Sequence, residues 1–294
     1  MNMPDQQAIV FGKYEHLLGV WKNADAESMS GVAVVMVTPG MLHHSGPFRL
    51  HVDLANELST IGIPSLRFDL SGIGESLGVG VTGRSIDRAA NEIAQAIDWI
   101  LKHTKSRQVV LFGLCSGADD SVHAALSDER VVGVIAMDGC GYRTPGFHVH
   151  RFIGHTLPRI LRPSKWMKLV KRIGVDDNEI SSSLQPGTDV REFPSRDQSV
   201  QELKQLARRK VQMHFVYTGG VGEYFNYAGQ FTEMFPELAG EPYVSSHYFA
   251  AMDHVAILAE DRAVLVNHIV NRVQSIAVAT PTKTMDSTEV PTGA

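Results

Sequence analysis

The stretch VVLFGLCSGADDS, Val109 to Ser121, decides how the rest of the chain is read. A run of apolar, β-branched residues stops at Gly113, and Gly113-Leu114-Cys115-Ser116-Gly117 follows. A strand that ends in Gly-x-nucleophile-x-Gly and turns sharply into a helix is a nucleophile elbow, usually with serine at its centre. Here the centre is Cys115, and serine stands one place later. Position favours Cys115, because the elbow projects only its central side chain. Ser116 is then expected to offer a backbone N–H to an oxyanion. The ordinary alternative is a buried free cysteine that merely ends a strand.

Outward from the elbow, strands and helices alternate. Two short strands, Ala8–Phe11 and Leu17–Trp21, precede VAVVMVT at 32–38, a continuous apolar run that marks a strand buried on both faces. Helical spacing over Arg49–Ile61, a strand at Pro64–Phe68, a helix at Asp87–Lys102 and a strand at Gln108–Phe112 lead into the elbow. A helix at Asp119–Leu126 and a strand at Val131–Met137 follow. Repeated β-α units with apolar strands predict a mostly parallel sheet with helices on both faces.

The rhythm breaks at 139–205, where prolines recur and no strong strand is visible. It resumes with Val211–Tyr217, a helix near Tyr227–Phe235, a strand near Tyr243–Phe249 and a last helix, Ala256–Val273. The spacing therefore predicts a core of residues 1–138 and 206–278, a helical cap insertion at 139–205, and a disordered polar tail at 279–294. Between Asp138 and Asp176 the insertion has no acid but many Lys and Arg, interleaved with apolar residues. Its apolar face, with Trp166 and Leu169, is expected to line an acyl pocket. The basic residues read as a solvated helix face, with an anionic substrate, carrier or membrane surface as the alternative.

Composition permits an enzyme and narrows its setting. The chain has 294 residues, 44% hydrophobic and 20% charged, so one large core is affordable to fold. A net charge of −5 gives no reason to expect nucleic acid. Two cysteines, Cys115 and Cys140, do not make a disulfide scaffold and suit a reducing compartment. MNMPDQQAIV lacks a basic region followed by an apolar one, and no apolar run is long enough to span a bilayer. A cytoplasmic protein is expected, and a homodimer is left open.

Three further motifs fall on this frame: Thr38-Pro39-Gly40-Met41-Leu42 after the third strand, Arg67-Phe68-Asp69…Gly72-x-Gly74-x-Ser76 after the next, and Ala251-Met252-Asp253-His254 before the last helix. Nucleophile early and histidine late resembles the α/β-hydrolase superfamily. Within it, Gly-Leu-Cys-Ser-Gly-Ala at the elbow resembles the bacterial exosortase-associated hydrolases. The resemblance runs over about residues 8–275, and weaker matches are Gly141-Tyr142-Arg143-Thr144 and the Tyr-Thr-Gly-Gly at 217–220.

That resemblance implies an α/β-hydrolase fold and an acyl-transfer enzyme with Cys115 as nucleophile and His254 as base. Among thirteen histidines, His43, His44, His123 and His247 are the serious rivals to His254. The acid is open: Glu223, after the strand Val211–Tyr217, is the first candidate, and Asp138, after Val131–Met137, is the alternative. Asp253 adjoins the histidine and is expected to point away. Backbone N–H groups of Ser116 and Met41 are the expected oxyanion donors. A metal is not expected, because His43-His44 and His148-x-His150 lack a third ligand at helpful spacing. Nor is a nucleotide cofactor: Gly72-x-Gly74-x-x-x-Gly78 has the wrong spacing for a dinucleotide fingerprint. The expected reaction is hydrolysis of an ester or thioester in a small-molecule acyl substrate, whose acyl group coenzyme A or a carrier protein could carry. Transfer of that acyl group to an amine or alcohol is one alternative, and a non-catalytic binding protein on the same fold is another.

Overall fold

A computed structural model describes residues 5–25, 31–40, 42–78, 83–156 and 193–280. Eight strands form one sheet: β1 (Gln6–Phe11), β2 (Leu17–Lys22), β3 (Val32–Val37), β4 (Ser65–Phe68), β5 (Gln108–Leu114), β6 (Val131–Met137), β7 (Gln212–Thr218) and β8 (Val244–Phe249). Their spatial order is β1-β2-β4-β3-β5-β6-β7-β8. The β1–β2 hairpin is antiparallel and β2 joins β4 antiparallel, while every later pairing is parallel. This is the mostly parallel sheet that the alternation of elements predicts, in the α/β-hydrolase arrangement that the resemblance implies.

The apolar runs work because consecutive residues supply opposite faces of the sheet. In β5, Val109 and Leu111 enter one core cluster, while Val110, Phe112 and Leu114 enter the other. The first cluster is covered by α2 (Ser85–His103) and α3 (Ser116–Ser127), the second by α1 (Leu50–Thr60) and the long C-terminal helix Ala259–Ala279. In α2 the stripe Ala89, Ile93, Ala96, Ile97, Ile100 is buried at helical spacing. Each buried aliphatic or aromatic side chain of this kind contributes about 1.5–3 kcal/mol, so the two layers carry most of the stabilisation.

Chain order places a crevice at one spot. From β3 the chain crosses through α1 to β4 on one side, and then through α2 to β5 on the other. The carboxyl ends of β3 and β5 are therefore the switch point of the sheet, where open α/β folds hold their ligands. The elbow and the loop after β3 both start there.

One boundary differs from the expectation. A helix, Arg196–Arg208, lies in the stretch assigned to the cap, yet Val200, Leu203, Leu206 and Ala207 are buried in the same cluster as Leu111 and Val134. We number it α5, after α4 (Pro145–Arg151) and before α6 (Gln230–Met234) and α7 (Ala259–Ala279). It is the helix that feeds β7, so the core resumes near 196 and not at 206. The last helix also runs to Ala279, one turn and more beyond Val273. The proposed lid residues Trp166 and Leu169, and the polar tail after 280, lie outside the described residues. Among the described residues no helix is long and apolar enough to cross a membrane.

Candidate active site

Cys115 is the N-cap of α3 and has φ 56°, ψ −122°, a backbone conformation that a side-chain-bearing residue rarely takes. The sequence forces it there. A Cβ on Gly113 would stand 2.0 Å from the carbonyl oxygen of Gly117, and one on Gly117 would stand 2.7 Å from that of Val37. Only glycine at both flanks lets the strand fold back on the helix start. The ladder continues through the turn, since the N–H of Cys115 donates to Met137 at 2.8 Å. Cys115 is half-buried.

The next residue ties the elbow to the loop after β3. The N–H of Gly40 donates to Oγ of Ser116 at 2.8 Å. Ser116 thus has a job for its side chain as well as for its backbone N–H, which is free of the helix ladder at this first position. Met41, the other expected oxyanion donor, lies outside the described residues.

His254 sits in the loop between β8 and α7, where its imidazole interacts with the side chain of Cys115. Its Nδ1 meets Oδ2 of Asp138 at 2.8 Å. The carboxylate of Asp138, the Cys115 contact and their charges outweigh partial burial and push the imidazole up to about 9. A proton is therefore held on His254 across the neutral range.

Asp138 follows β6 directly, is fully buried and has φ 49°. Its polar atoms are met by the neighbouring strand end. Its own N–H donates to Val216 at 2.7 Å, Thr218 N–H donates to Oδ1 at 2.7 Å, and Thr218 Oγ1 donates to Oδ2 at 2.7 Å. The hydroxyl of Tyr224 donates to its carbonyl at 3.0 Å.

Of the two candidate acids, the structure brings Asp138 and not Glu223 to the imidazole. Glu223 is exposed, and the hydrogen bond its residue makes is through the backbone carbonyl, which accepts from Nε of Arg143 at 2.8 Å. The position against the imidazole is taken by Asp138, because β6 and β7 are neighbours and the chain at 219–222 turns away as a short helical turn. Asp253 caps the loop instead, accepting from Val255 and Ile257 N–H groups. Asp119, in the first turn of α3, accepts from the N–H of Cys140 at 2.8 Å.

The rival histidines have other partners. His123 faces Asp87 on α2, and His247 on the outer strand packs edge-on against Phe249 and tilted against His268 of α7. His150 stacks on Tyr227, and His148 packs edge-on against Phe147. His43 and His44 lie over Asp69, which supplies the third ligand type that the sequence spacing did not show. The arrangement does not call for an ion. Asp69 is fully buried, and its oxygens already accept from His44 N–H at 2.5 Å, His44 Nδ1 at 2.8 Å and Glu75 N–H at 3.2 Å. It clamps the loop after β3 to the turn after β4.

What sequence reasoning passed over is the Thr-Gly-Gly at the end of β7. A Cβ on Gly220 would lie 2.1 Å from the backbone nitrogen of His254. Glycine there lets the histidine loop press against the strand end that holds Asp138. The only signal was Tyr-Thr-Gly-Gly itself, legible as a motif but not as a cradle.

Known proteins agree with this architecture. The esterase PF2001 from Pyrococcus furiosus superposes with a TM-score of 0.57 at 14% identity, covering 93% of this chain and 90% of that one. XC6422 from Xanthomonas campestris, described as an α/β serine hydrolase without lid, gives 0.55 at 14% identity over 96% and 99%. Proline iminopeptidase from Mycobacterium smegmatis gives 0.55 at 12% identity over 93% and 99%. At these identities the likeness is one of fold. No curated protein matches the sequence. The model of the serine aminopeptidase (S33) family matches residues 30–218, from β3 through β7 and including the elbow and Asp138. That match spans more than half of the sequence, so the chain belongs to the serine aminopeptidase (S33) family of α/β-hydrolase-fold hydrolases.

Proposed function

We propose that the protein is an acyl-transfer enzyme in which Cys115 replaces the family's usual serine, with His254 as base and Asp138 as the acid that orients it. The observation that carries this reading is the unbroken chain of contacts from the strained Cys115 through His254 to buried Asp138. An imidazolium beside a thiol at a helix start favours the thiolate, the form that attacks. The thiolate sulfur adds to an ester or thioester carbonyl carbon, and the carbonyl electron pair moves to oxygen. The Ser116 N–H supports that oxyanion. Collapse expels the alcohol or thiol, which takes the proton from His254, and leaves an acyl-cysteine thioester. Water, deprotonated by His254, then releases the acid and returns the thiol.

A second acceptor fits the same intermediate. A thioester transfers readily to amines and alcohols, so cysteine at the elbow favours an acyltransferase more than serine would. Coenzyme A and carrier proteins are the acyl donors considered. Kinship with the exosortase-associated hydrolases rests on Gly-Leu-Cys-Ser-Gly-Ala at 113–118.

Intact mass spectrometry after incubation with a panel of activated esters and thioesters tests the reading without knowledge of the substrate. The expected result is one acyl adduct that maps to Cys115 and is absent from Cys115→Ala. An adduct on Ser116, or none with any donor while the fold is intact, would sink it.

A further inference from the structure

In the usual arrangement of this fold the acid follows the strand before the last one, which here is β7. This chain carries its acid one strand earlier, and the end of β7 holds Thr218 instead. We infer that Thr218 is a positioning residue for the acyl-transfer reaction: its hydroxyl and N–H clamp the Asp138 carboxylate in the rotation that presents Oδ2 to His254.

The geometry is specific. Thr218 is fully buried, so its hydroxyl cannot trade the carboxylate for water. Its two donors take different oxygens, N–H to Oδ1 and Oγ1 to Oδ2, each at 2.7 Å. Two donors on two oxygens fix the plane of a carboxylate, where one would leave it free to swing. Oδ2 is also the atom that His254 Nδ1 reaches at 2.8 Å, so the hydroxyl and the imidazole share one oxygen. The backbone N–H of Thr218 survives any substitution, but the hydroxyl does not. Asp138 has a strained backbone at φ 49°, which by itself gives its side chain no preferred aim at the imidazole.

The inference rests on the Cys115–His254 reading, and the test separates the two. The readout is the rate at which iodoacetamide alkylates Cys115, followed by mass spectrometry from pH 5 to 10 in the full-length protein. It reports the thiolate and needs no substrate. Wild type and His254→Ala are compared first. If Cys115 is unreactive, or reacts alike in both, the Cys115–His254 reading fails.

If they differ, Thr218→Val decides the inference, since it keeps the shape and removes only the hydroxyl. The expected result is a rate lowered by about fivefold on the acid limb of the profile, the worth of one net hydrogen bond, with the pH window of high reactivity narrowed. Thr218→Ser should restore both. A Thr218→Val profile equal to or wider than that of wild type overturns the inference and leaves the Cys115–His254 reading standing. Should Thr218→Val fail to fold, Thr218→Ala, which puts no methyl against the carboxylate, is read in the same way.

Discussion

His254 Nδ1 and Asp138 Oδ2 stand 2.8 Å apart although 116 residues separate them in the chain. The pairing exists because β6 lies beside β7 and the loop after β8 folds back over the end of β7. Asp138 and His254 thus come from separate strand ends that the sheet, and not the local sequence, brings together.

Asp138→Asn should therefore cripple turnover while Glu223→Gln leaves it near wild type. An amide cannot stabilise the imidazolium and presents a donor where Nδ1–H needs an acceptor, so the loss should be about 10²–10⁴-fold in kcat. Rates are measured on whichever ester labels Cys115. The assignment fails if Glu223→Gln is the dead variant and Asp138→Asn, shown folded by circular dichroism, is active.

Ser116→Ala should have a smaller effect through a different route. The backbone N–H remains, but the hydroxyl that accepts from Gly40 is gone, which loosens the loop after β3 beside the elbow. One such hydrogen bond is worth roughly 1 kcal/mol, so kcat should fall by less than about tenfold and KM should barely move. A loss as large as that of Cys115→Ala would mean that Ser116 itself attacks.

The imidazole of His254, lifted to about 9, ties stability to pH with a definite sign. Its proton is held more tightly folded than unfolded, where the ordinary value is about 6.5. The stabilisation from the ion pairs is fully present below about pH 6.5 and is lost as pH rises through about 9. His254→Gln should thus lower Tm clearly at pH 6 and hardly at all at pH 10. Thermal melts of the two proteins at both values check this, and an equal difference at each would remove His254 from the linkage.

The elbow was legible because its cause is local. Gly113 is demanded by a contact within four residues and Gly117 by the end of the neighbouring strand β3, yet glycine at those two places around a cysteine is readable as a string. The place of His254 followed from chain order. Which carboxylate meets His254 was not legible, because Asp138 and Glu223 both follow strands and the choice depends on where Thr218 meets the carboxylate, 80 residues on. Helix α5 was hidden for another reason. Arg196–Arg208 is mostly polar, and its few apolar residues follow a proline-rich stretch, so periodicity alone did not lift it out of the insertion. Its N-cap, Ser195 accepting from Gln198, was the signal available.

A last prediction concerns histidines far from the elbow. His214 on β7 and His268 on α7 meet Nε2 to Nε2 at 2.8 Å, and Nδ1 of His214 pairs with Oγ of Ser245 at 2.8 Å. Of two imidazoles that share one hydrogen, the ring that accepts cannot carry a proton on that nitrogen, and a second proton on the pair would be a buried charge. Burial first, then the charges of Arg272 and the neighbouring histidines, lowers His214 to about 3 and His268 to about 4. From β8, His247 packs tilted and Phe249 edge-on against His268, and neither is an acid that would offset this. Unfolded, the same side chains take up protons near 6.5. As pH falls below about 6.5 the unfolded chain therefore binds protons that the folded one refuses, and stability drains away down to about pH 4 and, for His214, about pH 3. His268→Gln keeps an amide opposite His214 but cannot take the proton. Its Tm should fall less steeply than that of wild type between pH 7 and 4.5. Parallel Tm curves would show that the pair bears no part of the acid sensitivity.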